Sequence, residues 1–109
     1  REVLSHAGNR WAFGVIHALK EGGKLRHAEL RRRLGGVTQR MLTRTLRQLE
    51  RDGLILRQDH EEVPPHVEYE LTRLGEEFLL KIIPMWLWIF EHAEDFRQAR
   101  EAHSTAASE

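Results

Sequence analysis

Thr38-Gln39-Arg40-Met41-Leu42-Thr43-Arg44-Thr45-Leu46-Arg47-Gln48-Leu49-Glu50-Arg51-Asp52-Gly53 is the stretch on which the reading of the chain turns. Thr38 is a good N-cap, because its hydroxyl can accept from a free N–H of the first helical turn. Gly53 is a good helix stop, because glycine enters the left-handed conformation without a Cβ clash. The residues between them predict a helix over 39–52. At about 100° per residue, Leu42, Leu46 and Leu49 gather on one side and Arg40, Arg44, Arg47 and Arg51 on the other, with Thr43 flanking the arginines. The leucines call for a core. The arginines line a rod about 10 Å wide, a size that the major groove of a duplex admits.

Arginine suits that task because its planar fork can bond guanine O6 and N7 together, or grip a phosphate. The helix start adds unpaired backbone N–H groups and a positive dipole end. Gln39, Arg40, Thr43 and Arg44, in the first turns, are the candidates for reading bases. Arg47 and Arg51, further along, are candidates for the phosphate backbone, and so are Arg31, Arg32 and Arg33 on the segment before.

Working outward, Asn9 and Gly22-Gly23 bracket a helix over 10–21 with an apolar stripe of Trp11, Val15, Ala18 and Leu19. A short extended piece, 24–27, leads to a second helix over 28–34, with Leu30 and Leu34 facing inward and Gly35-Gly36 ending it. After the central helix, 54–60 reads as a strand. Residues 67–71 alternate, with Val67, Tyr69 and Leu71 on one face and Glu68 and Glu70 on the other. The proline-bearing segment 61–66 makes the tip of the hairpin that they form. Thr72 caps a last helical region reaching about residue 100, which Pro84 is expected to kink or divide. Two helices joined by a glycine turn and followed by a hairpin describe a winged helix-turn-helix. The expected fold is mainly α with a small β-hairpin wing (α+β) and a long C-terminal dimerisation helix. It forms one domain over 1–102, followed by a flexible tail over 103–109.

The charge distribution agrees. The 109 residues sum to zero, but residues 24–58 hold ten basic groups against three acidic ones, and residues 59–109 hold twelve acidic against four basic. A block of +7 inside a neutral chain means a localised positive surface. The −8 half is expected to face away from DNA.

From Phe78 to Phe90 only Lys81 and Pro84 fall outside the hydrophobic set. A helix apolar on nearly every side leaves one face wet in a monomer. One face is read as own core and the other as a second copy's, with Trp11, Ile82, Met85, Trp86, Ile89 and Phe90 as the dimer contacts. A two-fold pair also sets two recognition helices about 34 Å apart, one turn of duplex. The tryptophans Trp11, Trp86 and Trp88 could line a pocket for a small-molecule effector, although core packing is the commoner role of such rings. No apolar run reaches the roughly 20 residues that span a bilayer, so a membrane is not among the expected partners.

Catalytic and cofactor chemistry find little purchase. There is no cysteine, hence no disulfide, thiolate or thiol switch within these residues. None of the seven histidines stands in a recognised zinc spacing, so no metal or other cofactor is expected. His60 and His66 near Asp59, Glu61 and Glu62 lack a nucleophile and an oxyanion site. The chain does not read as an enzyme. His66 is read as a wing cation that titrates near pH 6.5.

The strings Gly8–Trp11 (GNRW), Ala28–Leu34 (AELRRRL), Val37–Leu54 (VTQRMLTRTLRQLERDGL), Glu62–Pro65 (EVPP) and Val67–Gly75 (VEYELTRLG), with Trp88, occur in an order that resembles the HxlR-type winged helix-turn-helix regulators of bacteria. The resemblance implies a cytoplasmic, nucleoid-associated homodimer that binds double-stranded DNA at a pseudo-palindromic operator. It puts DNA contacts on Thr38, Gln39, Arg40, Thr43, Arg44 and Arg47, the wing on 60–67, and the dimer on the first and last helices. Ala28 stands where members often have a serine cap, and His66 where arginine is usual. The cysteine through which some members sense oxidants, near the N-terminus, has no counterpart within these 109 residues. A winged-helix interaction module, docking an acidic protein on the arginine face, is the alternative of another class.

Overall fold

The computed structural model describes residues 2–108. Arg1 and Glu109, the outer ends of the expected domain and tail, lie outside them. In chain order the elements are α1 (Glu2–Ala7), α2 (Arg10–Gly22), α3 (His27–Arg33), α4 (Gln39–Arg51), β1 (Ile55–Asp59), β2 (Val67–Leu71), α5 (Arg73–Glu91) and α6 (Ala93–Ser108). This is a winged helix-turn-helix, mainly α with one antiparallel hairpin.

Local chemistry explains where the elements begin and end. The Asn9 side chain accepts from the N–H groups of Trp11 and Ala12, and Thr38 Oγ1 accepts from that of Met41 at 3.1 Å, so α2 and α4 start where their caps stand. α4 ends in a Schellman turn: the Leu54 N–H donates to Leu49 O and the Gly53 N–H to Glu50 O, with Gly53 at φ 76°. α3 begins at His27, one residue earlier than the sequence suggests. Its cap position is Arg26, whose N–H donates to Glu29 Oε1 at 3.0 Å, so Ala28 is no cap at all.

The strands pair from Ile55↔Leu71 to Asp59↔Val67. Leu25 adds a short third rung, exchanging two backbone hydrogen bonds with Tyr69. Thr72 joins the hairpin to the recognition helix. Its hydroxyl donates to Gly53 O at 2.6 Å and accepts from the Gly75 N–H. Leu42, Leu46 and Leu49 of α4 meet Val15, Ile16 and Leu19 of α2, Leu30, Leu54, Ile55 and Leu79 in one core.

Three expectations need correction. α1 was not anticipated; its six residues are too few for a visible period. Pro84 does not divide the last helix. It lies on an exposed flank above the exposed Leu80, where water can take the hydrogen bond that Leu80 O loses. The break falls at His92, whose ring stacks on Trp88 at 4.5 Å and whose Nδ1 meets Trp88 O at 2.9 Å. The helix after it runs to Ser108 instead of ending near residue 100, because Ala102, Ala106 and Ala107 favour helix and no glycine or proline interrupts them. The molecule measures 64 × 27 × 24 Å with a radius of gyration of 17.1 Å, against about 13 Å for a compact chain of this length. Among the described side chains of α6, only Phe96 is even half-buried, so this helix forms an arm outside the core.

Candidate nucleic-acid interface

The two faces of α4 separate as the arginine and leucine spacing predicts. Leu42, Leu46 and Leu49 are buried, and Arg40, Arg44, Arg47 and Arg51 are exposed. Gln39, Arg40, Thr43, Arg44, Arg47 and Gln48 line one open hollow along the outer face. Among the described residues, Arg40, Arg44 and Arg47 have no carboxylate partner. Guanidinium groups held out on a rigid helix without counter-charges can exchange water and small ions for phosphate or base edges at little cost. Arg51 stands apart, at the helix end beside Asp52.

Thr43 is half-buried, and its Oγ1 lies 3.2 Å from His27 Nε2 on α3. Burial, aided by the Arg31 charge, holds the His27 ring below the ordinary histidine range. That shift favours the neutral ring, and a neutral imidazole can hold the Thr43 hydroxyl without adding charge.

The other expected contacts are distributed unevenly. Arg31 and Arg32 share an exposed hollow with Ala28. Arg33 points elsewhere, into a hollow against Gly14, His17 and Glu21 of α2, so the run Arg31–Arg33 is not one contact surface. On the wing, His66 is not a free cation. Its Nδ1 accepts from Arg26 Nη2, and its Nε2 lies 3.3 Å from Glu68 Oε1. The exposed cation at this spot is Arg26, which the sequence reading passed over. Arg57 was also missed: it lines a hollow with Thr43, Arg47, Glu50 and Tyr69 between α4 and the hairpin. The alternation that set Tyr69 on one face of its strand could have pointed to Arg57 only with the register, which pairs the two.

The expected dimer contacts divide as well. Ile82 belongs to the protomer's own core at 4% exposure and has almost no surface left to give a partner. Trp11 and Trp86 are half-buried. Trp86 packs on Phe13 at 5.2 Å and donates from Nε1 to Ala7 O at 3.1 Å. Trp88 is outside, stacked on His92. Each of the three tryptophans has its own neighbours: Arg10 lies over the Trp11 ring, Trp86 meets Phe13 and Ala7, and Trp88 meets His92 and Phe96. Met85 and Ile89 are half-buried and Phe90 is exposed. No helix among the described residues is long and apolar enough to cross a membrane.

A hairpin wing with an exposed tip, a glycine-turned pair of helices and an open arginine face define a DNA-binding helix-turn-helix regulator of transcription. The chain belongs to the HxlR-like helix-turn-helix family, whose model matches residues 6–97. It is 46% identical over 89 residues to YtfH, an HTH-type transcriptional regulator of Escherichia coli (strain K12), a match covering 82% of this chain and 70% of that protein. It is 41% identical over 101 residues to the HTH-type regulator YybR of Bacillus subtilis (strain 168), covering 93% and 77% respectively. Among solved structures, the transcriptional regulator YtfH from Salmonella typhimurium superposes with a TM-score of 0.77 at 42% identity, over 93% of this chain and 89% of that one. Each of these relatives is named as a regulator of transcription.

Proposed function

We propose that the protein acts as a homodimer on a pseudo-palindromic operator, with α4 in the major groove and the wing, residues 60–67, on the adjacent backbone or minor groove. The observation that carries this reading is the outer face of α4, where Arg40, Arg44 and Arg47 stand exposed and without carboxylate partners above a buried leucine face. Gln39, Arg40, Thr43 and Arg44 read bases. Thr38, whose hydroxyl holds the helix start, Arg47, Arg51, Arg31, Arg32 and the wing pair Arg26–His66 meet sugar and phosphate. Arg33 contributes least, because it faces α2.

The dimer reading rests on the C-terminal end of α5. Leu87, Trp88 and Phe90 are exposed by 55, 52 and 73%, an apolar surface at the end of α5 of a kind that soluble monomers rarely carry. A second copy laid along α5 and α6 covers it, with Trp11, Met85, Trp86 and Ile89 beside it. A small-molecule effector finds its place in the mainly apolar hollow between α1 and α5, lined by Val3, Leu54, Leu74, Phe78 and Leu80 together with Asp52, Glu77 and Lys81. Such a regulator works in the cytoplasm, on the nucleoid.

Selection of bound duplexes from a random pool tests the reading. A two-fold motif with half-sites one helical turn apart is expected. Affinity should fall with salt at a log–log slope of about −0.9 per neutralised phosphate. Arg44→Ala should relax the preferred base at one position of each half-site, whereas Arg47→Ala should weaken all sequences evenly. An unchanged preference in Arg44→Ala would reject the assignment of the reading face.

A further inference from the structure

The wing holds one group of side chains of which the DNA reading uses only His66. His60 and His66 lie opposite one another across the hairpin, one step beyond the Asp59↔Val67 pair, joined by the bond from the His60 N–H to His66 O. Glu68 follows His66 by two residues and so projects from the same face. The consequence is a convergence: His60 Nε2 is 2.8 Å and His66 Nε2 3.3 Å from Glu68 Oε1, and the three ligating atoms lie within 4.8 Å of one another. A tetrahedral zinc ion bound at about 2.0–2.1 Å sets its ligand atoms about 3.3 Å apart, so small rotations would bring these three to it. His66 Nε2 is also buried without a well-formed hydrogen bond of its own. Glu68 Oε1, the nearest acceptor, already takes the bond from His60.

We propose that His60, His66 and Glu68 form a binding site for a divalent late transition-metal cation, with Arg26 as the group that keeps the metal-free site closed. Two imidazoles and a carboxylate are the donor set that such ions take, with water completing the shell. Arg26 matters because a guanidinium has only donors. Its contact with His66 Nδ1 obliges that nitrogen to accept and leaves the ring proton on Nε2, the nitrogen that must ligate. Loading therefore requires Arg26 to swing away and the proton to pass from Nε2 to Nδ1. The Glu62 carboxylate, 3.9 Å from Nδ1, is placed to accept it, in the carboxylate–histidine–metal arrangement that orients ligating rings.

The test is zinc titration of the full chain against a chromophoric chelator, with imidazole nitrogen NMR on the same samples. One zinc per chain is expected, with the Nε2 resonances of His60 and His66 moving on loading. His60→Ala, His66→Ala and Glu68→Gln should each weaken binding about tenfold or more, and Arg26→Gln should strengthen it. Circular dichroism checks folding. Should a histidine variant fail to fold, Arg26→Gln and Glu68→Gln, which keep both rings, still decide between gain and loss. No zinc binding at millimolar zinc, or binding that leaves both rings unmoved, would overturn the site. Unchanged or weaker binding in Arg26→Gln would overturn the closing role of Arg26.

Discussion

His6 Nε2 lies 2.6 Å from Asp52 Oδ2, with the two side chains only 4% and 12% exposed. The pair ties the six-residue helix α1, which could not stand alone, to the residue that closes the recognition helix. His6→Ala removes the partner of a nearly enclosed carboxylate and leaves a gap beside Ala7. It should cost about 1–3 kcal/mol of stability in urea unfolding. Asp52→Asn keeps the shape and should cost less. In the double variant the two losses should fall short of additive by at least about 0.5 kcal/mol. Strict additivity would mean that the pair contributes nothing jointly.

Gly75 is required by contact, not by backbone angle. A Cβ at this position would stand 2.0 Å from Leu54 O, a backbone atom, and 3.1 Å from Leu71 Cδ2. The first turn of α5 can approach the hairpin this closely, with Thr72 bridging to Gly53, only if nothing projects from Gly75. Gly75→Ala should lower stability by about 3 kcal/mol or more, at the severe end of overpacking. Gly35→Ala is the control. Nothing lies within 4 Å of its added methyl, and its φ is not positive, so it should be neutral or stabilising by up to about 1 kcal/mol.

What could be read from the sequence divides along a physical line. Capped, periodic α4 was legible throughout, because Thr38, Gly53 and the leucine and arginine faces all depend on residues within one helix. The hairpin and its inner face were legible for the same reason. The misses are long-range. His6 reaches Asp52, His27 reaches Thr43, and Arg26 reaches His66 across 40 positions, and no local period announces such pairs. Pro84 misled because its cost depends on whether Leu80 O can be hydrated, which only the packing decides. The His60–His66–Glu68 group escaped the search for metal spacings because the hairpin, not a helical repeat, brings its members together.

His27 gives a pH dependence with a definite sign. Its folded-state pKa is depressed by burial and by Arg31, so the unfolded chain takes up the proton first as pH falls. Its contribution to stability is therefore present above the ordinary histidine range of about 6.5 and is lost as pH falls through that value toward the folded one. Wild type should lose more stability between pH 7.5 and 5.5 than His27→Gln does, as measured by urea midpoints. The ring resonances should titrate below those of a free histidine. A variant that loses as much as wild type would show that the proton goes elsewhere.

The exposed end of α5 and the buried Ile82 make opposite predictions about association. Leu87 and Phe90 are open to solvent in the protomer, so replacing both with glutamate should leave circular dichroism and unfolding nearly unchanged. Against a partner's apolar surface the same two charges would be buried without counter-ions, at a cost that a dimer of this size could not absorb. Sedimentation should then show a monomer, and operator affinity should drop while single half-sites retain weak binding. Ile82→Ala should do the reverse. It should destabilise the fold by about 2–5 kcal/mol and leave the association of the folded protein largely intact, because its side chain is already enclosed by its own chain. If the glutamate variant still sediments as a dimer, the two copies meet on another face, and the spacing of the two recognition helices has to be derived anew from that face.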